Sequence, residues 1–339
     1  MSNTYKGKTV DEWLEKGHKS ADNKDYKNAA RYFGYVLKIN PNHVLALNNH
    51  GWYIALSAGN YERCIKCCGK AVKIDPNYQY AWHSLGYAYN GLGKYQEAVK
   101  YFKKAISINS NDQDYHFDLG ISYNKLGKFK ESIDCNKKVL KLNPKNIDAW
   151  INLGTSYIAT DRNVEALECF EKALKLKGPK SKIWAVMGVA HRNLFEYDKA
   201  IECLEKAVKL DPQYIPAWDN LGSLYEQLEK SEEAIKCYKQ IVTINPKDSN
   251  GWLSLGSVYA NLKDYSKAIE VFEKIIKLDP KNSLALYNMG MMYGELEDPV
   301  KGIEYVEKAL KIDPTNEDAK STLNLLNLMK EELERKGKI

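Results

Sequence analysis

The chain has little of what marks most functional classes. No apolar run approaches the roughly 18 residues that a membrane-crossing helix needs, and Met1 to Val10 lack the apolar core of a secretion signal. No membrane partner is expected, and the setting these residues suggest is cytoplasmic. Prolines number only 10 while hydrophobic residues reach 44%, which is too apolar for a disordered chain. Charge of one sign is also scarce. Lysine and arginine total 50 against 44 aspartates and glutamates, and the net charge of +6 falls short of a nucleic-acid-binding signature. The 7 cysteines are unevenly spread, as in a reducing compartment. With only 6 histidines, and no strand to lead into a glycine-rich phosphate loop, no nucleophile–base–orienter set can be assembled. Neither catalytic residues nor a cofactor is expected.

What the chain does have is a period. Gly17, Gly51, Gly86, Gly120, Gly154, Gly188, Gly222, Gly256 and Gly290 recur every 34 residues, with one step of 35. Trp13, Trp82, Trp150, Trp184, Trp218 and Trp252 each stand four residues before one of these glycines, leaving only Trp52 outside the pattern. Tyrosines such as Tyr89, Tyr157 and Tyr259 follow three residues after it. Alanines (Ala98, Ala166, Ala234), large rings (Phe33, Phe102, Phe170, Tyr238, Phe272) and closing prolines (Pro76, Pro144, Pro212, Pro246) complete the unit.

The spacing of tryptophan, leucine and tyrosine at i, i+3 and i+7 marks one face of a helix. The glycine between them, lacking a Cβ, lets another helix come close at a modest cost in helix propensity. A second amphipathic helix follows, and the proline ends it by pushing the preceding residue out of the α region. One such hairpin cannot bury its own apolar face, so hairpins must stack on their neighbours.

This Trp-Leu-Gly-Tyr-Ala-Phe-Ala-Pro series resembles the tetratricopeptide repeat family, and the resemblance covers about Val10 to Asn316. An all-α chain is expected. Residues 1–9 form a lead-in, residues 317–339 a capping helix and tail. Between them stand nine repeats, at 10–43, 44–78, 79–112, 113–146, 147–180, 181–214, 215–248, 249–282 and 283–316. The pattern departs from the family at three junctions: an extra residue near Gly59-Asn60, Ser110 in place of proline, and Gly178-Pro179 closing the fifth repeat. The resemblance implies a right-handed α-solenoid of tandem antiparallel helix hairpins, with the first helix of each repeat lining a concave groove.

On that geometry the outward positions of the first helices carry the candidate binding residues. Asn49, Asn152, Asn220 and Asn288, with Asp118 in the same register, form a broken ladder. An amide both donates and accepts, so it can pair with a peptide backbone without reading its sequence. Trp52, Tyr80, His83, Tyr87 and Phe117 add an aromatic group in the second to fourth repeats, of the kind that dominates binding where it faces a partner. The alternative for these rings is that they pack on one another and stiffen the array. Acids outnumber bases at the groove positions, among them Asp11, Glu15, Asp22, Asp114, Asp148, Asp219, Glu226 and Glu295 against Lys125, Lys182 and Arg192. Such a wall favours a basic or neutral segment and repels nucleic acid.

The recurring Cys135, Cys169, Cys203 and Cys237 invite a metal or redox reading. Each falls on a different hairpin, however, and packed helices stand about 8–10 Å apart, too far for a disulfide. They read as small buried hydrophobes, and no metal site is expected. The function expected is therefore a non-enzymatic scaffold or adaptor, a single copy gripping an extended peptide or partner helix. The alternatives are a structural array that self-associates, or a targeting subunit of a separate enzyme.

Overall fold

The structure, a computed structural model, describes residues 4–338, and among them finds 19 helices and one isolated bridge between Tyr5 and Lys8. The chain divides into two compact units that meet in sequence at Gly178 and Pro179. Unit 1 holds five hairpins: α1 (Val10–Asp22) with α2 (Tyr26–Ile39), α3 (Val44–Ala58) with α4 (Tyr61–Ile74), α5 (Gln79–Gly91) with α6 (Tyr95–Ile108), α7 (Gln113–Lys125) with α8 (Phe129–Leu142), and α9 (Ile147–Ile158) with α10 (Asn163–Lys175). Unit 2 holds four: α11 (Lys180–Asn193) with α12 (Tyr197–Leu210), α13 (Ile215–Gln227) with α14 (Ser231–Ile244), α15 (Ser249–Asn261) with α16 (Tyr265–Leu278), and α17 (Ser283–Glu295) with α18 (Pro299–Ile312). A last helix, α19 (Glu317–Arg335), follows them.

The repeat glycine has a specific neighbour. A Cβ built on Gly86, Gly154 or Gly256 would lie 2.6, 2.5 or 2.5 Å from the ring of Phe102, Phe170 or Phe272. Each ring is on the second helix of the same hairpin and is essentially fully buried, which contributes roughly 2–3 kcal/mol apiece. The glycine is thus a seat for the ring, and the two residues are one device. The tryptophan has a second role beyond its apolar face. The indole Nε1 of Trp82, Trp150, Trp218 and Trp252 donates to the carbonyl of Pro76, Pro144, Pro212 and Pro246, at 2.8 to 2.9 Å. Where Ser110 replaces the proline closing repeat three and His116 the tryptophan of repeat four, the bond is kept: His116 Nε2 donates to the Ser110 carbonyl at 2.9 Å.

The lead-in is also ordered onto the first hairpin. Trp13 Nε1 donates to the Tyr5 carbonyl at 2.9 Å, Tyr5 packs against Tyr35 at 5.2 Å, and Thr9 caps α1 through a reciprocal bond with Glu12. The extra residue of repeat two lengthens α3, which ends at Gly59 with φ +62. At the other end, Glu331, Glu332, Glu334 and Arg335 lie exposed in the last turns of α19. The middle of that helix is not polar throughout. It buries Leu326 against Val306 and Ala319 but leaves Leu325 and Leu328 exposed at 59% and 63%.

Candidate binding face

Within each unit the second helices pack on the first helices to either side. First helices also touch one another, as in α3 with α5, α5 with α7, α7 with α9, and α11 with α13. This gives each unit a first-helix face, on which most of the candidate residues fall half-buried.

In unit 1 the aromatic candidates meet. Trp52 lies 4.7 Å from Tyr87 and 5.7 Å from His83, between ring centres. His83 Nε2 stands 2.7 Å from Asp118 Oδ2, tying α5 to α7. Tyr80 turns outward, 50% exposed, with only its edge against Tyr78 at 5.4 Å. Phe117 is half-buried and has no ring contact among the described residues. The face therefore combines packed rings with presented ones.

The amide candidates are not equivalent. Asn49 accepts from Asn48 Nδ2 at 3.0 Å, and Asn220 Nδ2 is turned back onto the Pro216 carbonyl at 2.7 Å. The side-chain amides of Asn152 in unit 1 and Asn288 in unit 2 have no hydrogen bond among the described residues. The ladder's gap at Ser84 has a cause: that hydroxyl is buried and donates to Asn48 Oδ1 at 2.9 Å.

One residue of this region escaped sequence reasoning. Tyr115 is 2% exposed, and its hydroxyl has no hydrogen-bond partner. Burial pushes it far above the usual phenol range, and Asp112, Tyr80, Asp114 and Tyr78 act in the same direction. Burial also raises the Asp114 carboxyl, with Asp112 adding to it. The signal was present in the sequence: Tyr115 occupies a position held by alanine in five other repeats, Ala46, Ala81, Ala149, Ala217 and Ala285.

In unit 2 the first-helix face is plainer. Glu226 accepts from the Tyr238 hydroxyl, and Glu295 from that of Tyr265 at 3.0 Å. Burial raises the Asp219 carboxyl, Asp248 adds to it, and Arg192 opposes. Cysteines contribute no reactive group to either face. Burial pushes the thiols of Cys135, Cys169 and Cys237 up to about 12 and that of Cys203 to about 11, which keeps them protonated at neutral pH. His43 caps α3, and His191 Nδ1 holds Glu196 at 2.6 Å. No helix among the described residues is long and apolar enough to cross a membrane.

Fold and face together define a helical-repeat protein whose first helices present a surface. Models of the tetratricopeptide repeat match residues 45–78, 80–112, 114–146, 147–178, 181–214, 215–248, 249–282 and 283–316. These matches cover well over half of the chain, which belongs to the tetratricopeptide repeat family. It is a protein-interaction scaffold of a kind that is generally non-enzymatic. No curated protein compared with the chain matches it. Among solved structures, the Cut9–Hcn1 hetero-tetramer of APC/C is similar with a TM-score of 0.52 at 15% identity, over 91% of this chain and 74% of that one, a likeness of fold. Two crystal structures of the MamA protein are 27% and 28% identical over 51% and 48% of this chain and 94% of theirs, with TM-scores of 0.44 and 0.43.

Proposed function

We propose that the first-helix face of repeats two to four grips a basic or neutral extended segment, or a helix, of a protein partner. The observation that carries this reading is the orphaned hydroxyl of Tyr115, buried among Tyr80, Asp112 and Asp114. An unpaired buried polar group costs about 1–3 kcal/mol, and a polar group of the partner entering beside Tyr80 supplies the missing bond. Tyr80 and Phe117 give the apolar contact, while His83 and Asp118 hold α5 and α7 in register beneath them. The packing of Trp52, His83 and Tyr87 pre-organises the face, which lowers the entropy lost on binding. Asp112, Asp114 and Asp118 steer basic segments toward it. Asn49 and Asn152 extend the same face with amides for the partner's backbone, and Asn220 and Asn288 offer the same chemistry in unit 2.

Titration calorimetry against an extended lysine-containing peptide tests the reading. Tyr80→Ala with Phe117→Ala is expected to weaken binding about tenfold or more, with helicity unchanged by circular dichroism. Unaltered affinity in that double variant would falsify the assignment of this face.

A further inference from the structure

The second-helix face of unit 1 carries two grooves at equivalent places in the repeat, one in repeat two and one in repeat five. Each lies over a first helix, beside the second helix of its own hairpin. The groove of repeat five encloses about 400 Å³ and that of repeat two about 620 Å³. Their floors share a pattern, Leu140 and Cys169 in the one, Leu37 and Cys67 in the other.

Three differences between them bear on charge and access. Leu47 stands where repeat five has Trp150, so the floor is open where an indole would cover it. Arg63 and Lys66 stand where repeat five has Glu165 and Glu168, which reverses the charge of the wall. The third is the partner of the lysine that both grooves keep. Lys172 Nζ lies 4.5 Å over the Trp150 ring, whereas Lys70 Nζ donates to the Pro41 carbonyl at 2.7 Å.

Arg63 is aimed by its neighbour. His50 Nδ1 donates to the Ala30 carbonyl at 2.8 Å, which leaves its Nε2 lone pair facing Arg63 Nη2 at 3.5 Å. Burial lowers the His50 pKa, with the Arg63 charge adding to the effect, so the ring stays neutral beside the cation. No carboxylate among the described residues forms an ion pair with Arg63 or Lys66. Glu62 and Asn60 are the other polar side chains lining the groove. In repeat five, by contrast, Glu165 is already taken by Arg162 at 2.8 Å.

We propose that the groove of repeat two is a second docking site that takes an acidic segment of a protein partner. The partner's carboxylates meet Arg63 and Lys66, and an apolar side chain between them seats on Leu37, Leu47 and Cys67. Charge complementarity selects this occupant: an apolar floor under unpaired cations suits a segment that alternates apolar and acidic residues. The site lies on the opposite side of the hairpins from the acidic first-helix face and prefers the opposite charge. One chain can therefore hold two partners of opposite sign.

The probe is a fluorescein-labelled peptide alternating glutamate and leucine, read by anisotropy against the full chain. Arg63→Glu with Lys66→Glu writes the residues of repeat five into repeat two, a pairing that the same fold already accommodates. It is expected to weaken binding about tenfold or more, and Leu47→Trp, which covers the floor, to weaken it several-fold. Lys137→Glu with Lys141→Glu removes the same charge from the groove of repeat five and should leave affinity unchanged. Native affinity in the Arg63/Lys66 variant overturns the proposal. So does an equal loss in the Lys137/Lys141 variant, because the attraction is then to net charge alone. Tyr80→Ala with Phe117→Ala should not affect this peptide, which keeps the two faces separable.

Discussion

In unit 1 the ring position of the second helix holds Phe33, Cys68, Phe102, Asn136 and Phe170; in unit 2 it holds Leu204, Tyr238, Phe272 and Val306. Among the described residues, the buried Asn and Ser side chains, Asn48, Ser84, Ser122, Ser132, Asn136, Ser156 and Asn163, all belong to unit 1. They gather mainly where the ring is missing. Around Cys68, Asn48 accepts from Ser84 and lies 3.7 Å from the thiol. Around Asn136, its Nδ2 donates to the Ser132 carbonyl at 2.9 Å, and Ser132 and Ser156 share a hydrogen bond at 3.1 Å. The buried orphans, Gln113 Oε1, Tyr115 OH and Asn136 Oδ1, are also in unit 1. A hairpin that loses its ring can fill the space with hydrogen-bonded polar groups, and at Asn136 the amide oxygen is left unsatisfied. Unit 2 keeps a hydrophobic side chain at every ring position, with the Tyr238 hydroxyl bonded to Glu226, and shows no unsatisfied buried side-chain atom among its described residues.

Moving the polar gap into unit 2 is the harshest test of that contrast. Phe272→Asn removes a fully buried ring from a cluster made of Val258, Ile275, Met289 and other apolar side chains. It also strands an amide that none of them can bond. Cavity and unpaired group together are expected to cost about 5 kcal/mol, read as a fall in the urea midpoint with hydrogen-exchange protection lost across α15 to α17. A loss under about 2 kcal/mol would mean that unit 2 tolerates polar content as unit 1 does, and the contrast between the units would be incidental.

A milder pair of substitutions probes the seat itself. The Cβ of Gly256→Ala would meet the Phe272 ring at 2.5 Å, whereas that of Gly120→Ala would meet Cys135 and Asn136 at 3.2 and 3.3 Å. Alanine gains about 1 kcal/mol over glycine in a helix, and forcing an atom into a packed ring costs roughly 1–3 kcal/mol. Gly256→Ala is therefore expected to destabilise by up to about 2 kcal/mol, and Gly120→Ala to be close to neutral. Equal effects in thermal melts would show that the ring does not define the seat.

Much of this was legible in the sequence. The 34-residue period marked the helical-repeat class, because where a seat glycine meets a ring, as at Gly86, Gly154 and Gly256, the close approach fixes their separation and excludes most substitutes. The grouping of Trp52, His83, Tyr87 and Asp118 was an expectation that rested on the family resemblance; the contacts of Trp52 with Tyr87 and His83, and of His83 with Asp118, come from the packed structure. The contacts that periodicity does not encode were not legible. Whether Asn48 points at Ser84 or at solvent depends on Cys68, a residue on another helix, and the retention of a tryptophan-like bond by His116 depends on a backbone carbonyl. Tyr115 was visible only as an intruder at an alanine position. Its lack of a partner is a property of the packed structure. The break between units at Gly178-Pro179 coincides with an irregular junction that the sequence did mark, without showing that compactness would change there.

The smallest expected effect asks whether the surface follows the core in distinguishing the two units. Burial raises one first-helix carboxyl in each, Asp114 with Asp112 adding to it, and Asp219 with Asp248 adding to it against Arg192. A carboxyl whose folded pKa lies above its unfolded value of 3.8 favours the folded state most below that value. That contribution is lost as pH rises through the folded pKa. At neutral pH each group is a charge held in a less favourable place than in the unfolded chain. Asp114→Asn and Asp219→Asn are therefore both expected to raise the urea midpoint slightly near neutral pH, with the gain vanishing below the ordinary carboxylate range. Arg192 limits the gain at Asp219 as His83 limits that at Asp114, and Arg192→Gln should enlarge the gain at Asp219. A gain confined to Asp114 even in the Arg192→Gln background would mean that the difference between the units reaches their faces. Matching gains would confine it to what the hairpins bury, leaving acid crowding on the first helices as a property of both.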